Sequence, residues 1–196
     1  GAARPIVGAG AQLKSTFCVA RGTRAWMSPH LGDLDSSDAR GAFRSDLALY
    51  LDMLDVRPEV VAHDLHPDYA ATRWAVEQDA ELVAVQHHHA HAAACLAEHG
   101  RDEPVLAVVF DGTGLGTDGT VWGGEILRCD LRDFARLAHL VAVPLPGGDA
   151  AIRQPWRMAA AYLEAAGRPV PFERWPVVRQ SLAVNAPLSS GMGRLF

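Results

Sequence analysis

The chain has 196 residues, of which 49% are hydrophobic, and this length can bury the core of one ordinary domain or of two small lobes. Its formal net charge of -5, without a cluster of basic residues, argues against a nucleic-acid-binding surface. No apolar run approaches the roughly 20 residues that cross a bilayer. Cys18, Cys95 and Cys129 show no C-x-x-C pairing and fit small buried side chains in a reducing compartment. We therefore expect a cytoplasmic protein without membrane contact.

The chain begins with a predicted run of three short strands. Residues 6–13, 15–20 and 23–28 are rich in apolar and β-branched side chains, and an Arg-Gly turn separates the last two. An amphipathic helix follows, because apolar side chains recur there with helical spacing. Two buried strands, each followed by a helix, complete the order β-β-β-α-β-α-β-α, which we assign to a first lobe at residues 1–103.

Residues 104–196 predict the beginning of a second lobe with the same order of elements. Three strands and an alanine-rich helix are expected at residues 105–111, 120–130, 137–143 and 150–166. Pro155 should lie inside this helix or in its true first turn. The order β-β-β-α then stops. We therefore expect a second lobe truncated at its C-terminus, in a fragment of a longer polypeptide.

Four of the nine histidines stand within five residues, in Gln86-His-His-His-Ala-His91. His87 and His91 are four positions apart, so a helix that begins here places both imidazoles on one face, where they can bind a metal ion. His88 occupies the position of the general base in an H-E-x-x-H zinc protease, which disfavours that class. Imidazole ligands suit Fe, Zn or Mn. His88 and His89 point elsewhere, toward substrate, solvent or the core.

Asp111 follows five apolar residues and is expected at the C-terminal tip of a strand, where α/β proteins place ligand sites. It fits a third metal ligand or a contact to a magnesium-bound phosphate, with an Asx turn as the structural alternative. The glycines after it match G-x-G-x-x-G, but the next segment predicts a strand, which excludes a dinucleotide-binding motif. A hairpin whose backbone N–H groups bind phosphate remains, beside an ordinary Asp-Gly hairpin.

Three further positions are candidates for contacts to a ligand. Gly123-Gly124 allows a ligand or another strand to approach closely. Lys14 fits either a phosphate contact or an exposed turn. Asp149 fits a helix N-cap, with recognition of ribose or phosphate as the alternative.

The order of elements and the Asp-Gly-Thr-Gly hairpin resemble the actin/sugar-kinase/Hsp70 superfamily. The expected α/β fold is therefore the actin-like ATPase (ASKHA) type, in which two lobes close over a nucleotide. Five stretches narrow the resemblance, over almost the whole chain, to the TsaD-like carbamoyl-transfer domain of the HypF family of [NiFe]-hydrogenase maturation proteins. These stretches are Leu13-Lys-Ser-Thr-Phe-Cys18, Asp64-Leu-His-Pro-Asp-Tyr69, Gln86-His-His-His-Ala-His91, Phe110-Asp-Gly-Thr-Gly-Leu-Gly116 with Trp122-Gly-Gly-Glu125, and Gln154-Pro-Trp-Arg157.

The resemblance implies a carbamoyltransferase. The carbamoyl group of carbamoyl-adenylate, made from carbamoyl phosphate and ATP with Mg, would pass to the C-terminal cysteine of the acceptor protein HypE. His87, His91 and Asp111 would bind a divalent metal, Fe or Zn, and no side chain is assigned to the chemical step itself. The implied nucleotide-binding residues are Gly112, Thr113, Gly114, Gly116, Gly123, Gly124 and Asp149, with Lys14 as a further phosphate contact.

Other functions remain open at this point. Within the superfamily they are a TsaD-like tRNA threonylcarbamoyl transferase and an antibiotic O-carbamoyltransferase. A different class is a module that binds metal or nucleotide without catalysis. The His-His-His-Ala-His form and the Gln-Pro-Trp-Arg stretch favour the hydrogenase protein.

Overall fold

The computed structural model describes residues 2–195, and packing divides the chain into two compact units, Gly1–Val85 and Gln86–Phe196. The helix that carries the histidines packs on the strands that follow it and so falls in the second unit. The predicted boundary at residues 103 and 104 was based on the order of elements, whereas this division is based on contacts. Each unit contains a mixed sheet with helices, which confirms the α/β class.

The first unit contains one five-stranded sheet and two helices. The elements are β1 (Ala2–Gly8), β2 (Cys18–Gly22), β3 (Arg24–Met27), α1 (Ser37–Met53), β4 (Val60–Asp64), α2 (Ala70–Ala75) and β5 (Glu81–Val85). The strand order is β3-β2-β1-β4-β5. The hairpin strands β1 to β3 pair antiparallel, while β4 and β5 join in parallel through the two helical crossovers. The predicted order of elements is thus confirmed through β5.

Aromatic side chains from both helices and from the residue just before β2 form the core of the first unit. Phe43 on α1 stands edge-on to Phe17 and to Trp74 on α2, with ring centroids 6.0 and 5.7 Å apart. Leu47, one helical turn after Phe43, is equally buried. The apolar stripe seen in the sequence is therefore the face by which α1 packs on the sheet.

The predicted first two strands are wrong in extent. Residues 9–17 form a loop between β1 and β2, because Gly10 and Lys14 adopt positive φ angles of 73° and 49° and turn the chain. Asp33 stabilises this loop, since its Oδ1 accepts a hydrogen bond from the Lys14 N–H at 2.8 Å. An apolar composition alone did not reveal these left-handed positions.

The second unit contains the histidine helix, a second five-stranded sheet and short helices. The elements are α3 (His87–Glu98), β6 (Val105–Leu115), β7 (Val121–Cys129), β8 (Phe134–His139), β9 (Val143–Pro144), α4 (Asp149–Arg153), α5 (Trp156–Ala165), α6 (Trp175–Arg179) and β10 (Leu188–Ser189), with 3₁₀ turns at Gln180–Ala183 and Met192–Arg194. The path β6-β7-β10-β9 runs through the sheet, and β8 pairs with β7 beside β10. Central strand β7 thus contacts three strands.

The single helix predicted at residues 150–166 is two helices. α4 ends before Gln154, and Pro155 occupies the N-cap position of α5. Proline has no N–H to donate and disfavours the helical conformation in the residue before it, so the chain breaks there. Among the described residues, no helix combines the length and hydrophobicity that crossing a membrane requires.

Candidate metal centre

The start of α3 brings two imidazoles together. Gln86 is the N-cap, and its Oε1 accepts a hydrogen bond from the His89 N–H at 2.9 Å. The helix therefore begins at His87, and helical spacing places His91 next to it one turn later, with the two rings edge to face. The two Nε2 atoms lie 3.3 Å apart. The sequence prediction that the helix begins inside the histidine cluster is confirmed.

Asp111 on β6 completes a three-residue cluster. Its Oδ2 lies 3.1 Å from Nε2 of His87 and 3.7 Å from Nε2 of His91, while its Oδ1 accepts a hydrogen bond from the Gly112 N–H at 2.6 Å. One ligand atom from each side chain lies within 4.8 Å of the others. The exposed fractions of the side chains are 17% for His87, 56% for His91 and 29% for Asp111. The cluster is therefore reachable from one side.

These three side chains fit a divalent metal. Asp111 Oδ2 is buried, and no described group makes a correctly directed hydrogen bond to it, although imidazole nitrogens surround it. A buried oxygen in this state requires a partner, and a metal ion is one kind that imidazole and carboxylate ligands share. Burial raises the pKa of Asp111, but His87, His91 and the Gly112 N–H outweigh it and hold that pKa well below its usual value. The carboxylate is therefore ionised, as a ligand must be.

The other two clustered histidines have separate environments. His88 is fully buried, and its Nδ1 lies 3.1 Å from Nε2 of Gln86. Burial, and then the neighbouring His87, lower the pKa of His88 to about 4, so its ring is neutral at pH 7. Nε2 of His89 lies 2.8 Å from the main-chain oxygen of Asp130. The sequence left substrate, solvent and core open as environments for these two rings, and both rings face the protein interior.

The sequence predicted a turn directly after Asp111. In the structure the first part of the glycine-rich segment is still strand, and the turn comes later. β6 continues through Asp111 to Leu115, with a shift in its pairing to β7 between Phe110 and Gly114. The hairpin turn lies at residues 116–120, where Gly119 has a φ of 77° and its N–H donates to the Gly116 oxygen. Asp111 thus lies at an irregularity within a strand and not at the strand tip. The second Asp-Gly pair of the sequence, at residues 118 and 119, makes the turn.

Two glycines of this segment allow side chains to pack closely. A Cβ on Gly114 would stand 2.6 Å from Cε1 of His88 and 2.9 Å from Cβ of His87. A Cβ on Gly116 would stand 2.0 Å from Nε1 of Trp122. Thr113 directly precedes Gly114 in β6 and is half-buried. Nucleotide contacts of Gly112, Thr113, Gly114 and Gly116 stay predictions, but the two close approaches already require glycine.

Replacing Gly114 with alanine is expected to lower the free energy of unfolding by about 1–3 kcal/mol, because the added methyl group overlaps the start of α3. Gly112→Ala is the matched control in the same strand. Its Cβ would meet only the flexible end of Arg194, at 3.1 Å, so we expect a smaller loss. Chemical denaturation of both variants measures the difference. Equal losses would contradict a packing role for Gly114.

Gly123 and Gly124 lie against another segment of the chain. A Cβ on Gly123 would stand 2.8 Å from Cα of Gly191, and a Cβ on Gly124 would stand 2.6 Å from the oxygen of Ser190. The N–H groups of Gly123 and Gly124 donate to Oε1 of Glu125, at 3.0 and 3.2 Å. The sequence allowed either a ligand or another strand to approach these glycines, and another segment of the chain does so. Nucleotide binding at Gly123 and Gly124 stays a prediction.

Sequence reasoning gave no role to Glu125, although this carboxylate is fully buried. Its Oε2 accepts from Nε of Arg136 at 2.6 Å, and its Oε1 accepts from the Ser190 hydroxyl. Arg136 also binds Asp118 at 3.0 Å and stacks 4.1 Å from the Trp122 ring centroid. An ionisable residue inside a predicted buried strand was the available signal, since such a group needs partners.

The structure places the remaining predicted residues as follows. The N-cap of α4 is Gly148, and Asp149 is the first helical residue, so the predicted capping role of Asp149 is wrong. Its carboxylate in the first turn still complements the helix dipole. Lys14 lies in the loop of the first unit and is exposed. Ribose or phosphate contacts of Asp149 and Lys14 stay predictions.

A groove of about 630 Å³ extends from His91 along α3 and β6. Cys95 and His99, one and two helical turns after His91, line it together with apolar residues of β6. Neither belongs to the cluster of ligand atoms around Asp111. Among the described residues, the candidate metal ligands therefore remain His87, His91 and Asp111.

Comparisons with known protein families match both parts of the chain. Residues 1–98 match the HypF Kae1-like domain, and residues 107–196 match the family described as carbamoyltransferase, Kae1-like domain, second subdomain. Carbamoyltransferase HypF2 of Cupriavidus necator is 50% identical over 204 residues, which cover 97% of this chain and 25% of that protein. Carbamoyltransferase HypF of Rhizobium leguminosarum bv. viciae is 43% identical over 97% of this chain and 26% of its own length. The chain thus spans about a quarter of these relatives.

Two solved structures are similar as well. The crystal structure of full-length HypF in the phosphate- and nucleotide-bound form superposes with a TM-score of 0.92 at 40% identity, over 99% of this chain and 27% of that one. The crystal structure of T. kodakarensis HypF has a TM-score of 0.87 at 32% identity, over 98% of this chain and 29% of that one.

Proposed function

Because this chain belongs to the family of HypF Kae1-like domains, we propose that it is the carbamoyl-transfer domain of a [NiFe]-hydrogenase maturation protein. The observation that carries this proposal is the three-residue cluster on α3 and β6, in a chain whose relatives are named carbamoyltransferases. The proposed fold is of the actin-like ATPase type, which the mixed α/β sheets of the two units support.

His87, His91 and Asp111 would hold the metal, as Fe or Zn. When bound there, a divalent metal supplies Lewis-acid polarisation of a carbonyl oxygen. The carboxylate of Asp111 is ionised because its pKa is lowered, so it offers a negative ligand atom beside two imidazoles. Gly112 fixes this carboxylate through its N–H to Oδ1, which leaves Oδ2 directed at the imidazoles. The 56% exposure of His91 leaves the cluster open for a substrate to approach.

The proposed substrate is carbamoyl-adenylate, formed from carbamoyl phosphate and ATP with Mg, and the proposed acceptor is the C-terminal cysteine of HypE. The bulged strand β6 and the hairpin after it would contact the nucleotide. A full-length relative has been solved in a phosphate- and nucleotide-bound form, which supports a nucleotide as a ligand of this family. Within the hairpin, the N–H groups of Gly123 and Gly124 are already bound by Glu125, so we assign phosphate contacts to the β6 side.

The test is transfer of labelled carbamoyl groups. The protein, expressed from its whole open reading frame, is supplied with ¹⁴C-carbamoyl phosphate, Mg-ATP and a HypE-type acceptor. We expect ATP-dependent label on the acceptor, and none on an acceptor whose C-terminal cysteine is replaced by alanine. Asp111→Asn should abolish labelling, whereas Asp102→Asn, an exposed aspartate outside the cluster, should not.

Each alternative predicts a different result of the same assay. Metal binding without any labelled product would favour a non-catalytic module and overturn the proposal. The assay is then repeated with tRNA or an antibiotic in place of the protein acceptor, and label on either would show that the domain serves a different acceptor.

A further inference from the structure

Two buried polar atoms face each other beside the candidate metal ligands. Nε2 of His88 and Oδ2 of Asp111 lie 3.9 Å apart, which is too long for a hydrogen bond. Neither atom makes a correctly directed hydrogen bond among the described residues, although Nε2 of His87 lies 3.1 Å from Oδ2. His88 is fully buried, so its ring nitrogen cannot reach solvent. A buried polar atom without a partner is costly and requires an explanation.

The side chain of Gln86 fixes which nitrogen of His88 carries the proton. The Gln86 atom facing the His89 N–H, at 2.9 Å, must be the amide oxygen, because a backbone N–H can only donate. The atom facing the Leu115 carbonyl, at 3.1 Å, must be the amide nitrogen, because a carbonyl can only accept. Two independent contacts thus orient the amide.

The amide nitrogen of Gln86 also lies 3.1 Å from Nδ1 of His88. It has two hydrogens, and the second is available once the first is donated to Leu115. Nδ1 of His88 therefore accepts. A neutral imidazole that accepts at Nδ1 carries its proton at Nε2, and this nitrogen lies 3.9 Å from Oδ2 of Asp111.

The ring of His88 has little freedom to turn away from this orientation. The backbone of Gly114 packs against one edge of the ring, since a Cβ at this position would stand 2.6 Å from Cε1 of His88. The rings of Trp122 and His87 pack at centroid distances of 6.1 and 5.5 Å. Oδ2 of Asp111 is thus the anionic atom next to Nε2 of His88, and a shift of about 1 Å would bring the two atoms to hydrogen-bond distance.

We propose that Gln86 and His88 form a positioning pair for Asp111, in which Gln86 holds His88 in its Nε2–H form and this N–H donates to the carboxylate oxygen that binds the metal. The inference rests on the proposed metal centre. A ligating carboxylate oxygen has a second lone pair, and hydrogen bonds from outer residues to such ligands orient them and raise metal affinity. His88 would therefore act through Asp111 and would not touch the substrate.

The tautomer is measured first, on metal-free protein labelled with ¹⁵N at histidine. Long-range ¹H–¹⁵N spectra distinguish the two neutral forms, and we expect Nε2–H for His88. In Gln86→Glu the new carboxylate still accepts from His89 but also accepts from Nδ1 of His88, so the proton should move to Nδ1. A wild-type protein with the proton on Nδ1 would overturn the inference.

Metal affinity is measured next, with Co²⁺ as the probe, by titration and by visible absorption. We expect Gln86→Glu to weaken Co²⁺ binding about 10–100-fold and to change the absorption spectrum. His88→Gln, which keeps an N–H donor, should retain more affinity than His88→Leu. His89→Gln is the control, because this equally buried neighbour bonds to Asp130 instead.

Unchanged Co²⁺ affinity in Gln86→Glu, or equal affinity in His88→Leu and His89→Gln, would overturn the positioning role. Protein without any Co²⁺ binding would instead overturn the proposed metal centre, and the positioning role with it. The tautomer measurement does not depend on metal and separates these two failures.

Discussion

His91→Ala is expected to lower the affinity for a divalent metal by at least about 100-fold. Loss of a residue that only supports a metal ligand typically costs about 10–100-fold, so loss of a ligand should cost no less than the upper end of that range. The substitution removes one of the three atoms that converge within 4.8 Å. Because the side chain of His91 is 56% exposed, its removal should change the free energy of unfolding by no more than about 0.5 kcal/mol.

The measurement is metal content by mass spectrometry together with competitive titration of Zn²⁺. His99→Ala is the matched control, since His99 is the C-cap of the same helix, is exposed and lies outside the cluster. It should leave metal content unchanged. Carbamoyl transfer should fall in parallel with metal content in His91→Ala. Wild-type metal content in His91→Ala would exclude the cluster as the metal site, whatever the activity.

The histidine pair could be predicted because its geometry is local. Gln86 accepts from the N–H three residues later, and an imidazole one turn after His87 lies on the same face of the helix, so the sequence alone determines the pairing of His87 and His91. Asp111 was predicted as their partner from the apolar run before it and from the family resemblance. The structure brings it within 3.1 Å of His87, but from an irregular position inside β6.

The position of the hairpin could not be predicted from local rules. Asp-Gly occurs twice in the segment, and both copies are suitable for a turn. The choice depends on the pairing of β6 with β7, which continues past the first copy after one shift of register. Local rules also did not predict the break between α4 and α5. The sequence allowed Pro155 either inside a helix or at its start, and in the structure Pro155 lies at the start of α5.

The roles of His88 and Glu125 depend on partners that the sequence does not place. The sequence did not decide whether His88 faces substrate, solvent or the core, because a helical wheel shows only that it points away from His87 and His91. Its role depends on the amide of Gln86, which a carbonyl 29 residues away helps to orient. Glu125 depends on partners 11 and 65 residues away, Arg136 and Ser190.

Glu125→Leu is expected to lower the free energy of unfolding by about 3–5 kcal/mol, the loss found when one partner of a buried ion pair is removed. Leucine would leave the guanidinium of Arg136, whose side chain is 18% exposed, without its buried anion. It would also leave the N–H groups of Gly123 and Gly124 without an acceptor. Glu125→Gln, which keeps an acceptor, should lose less. Glu103→Gln is the control, since its ion pair with Arg101 is solvent-exposed and should contribute little to stability.

The pH dependence of unfolding distinguishes loss of charge from loss of packing in these variants. Burial raises the pKa of Glu125, but Arg136, Ser190 and the Gly123 N–H outweigh it, so the pKa lies below the ordinary value of 4.5. A carboxyl group whose pKa is lowered on folding stabilises the folded state at pH values above its ordinary pKa. This contribution is lost as the pH falls through the pKa of the folded state. Wild-type protein should therefore lose stability below pH 4.5 more steeply than Glu125→Gln, in urea titrations from pH 7 to pH 3. Parallel curves would mean that Glu125 stabilises the sheet by its hydrogen bonds and packing, and not by its charge.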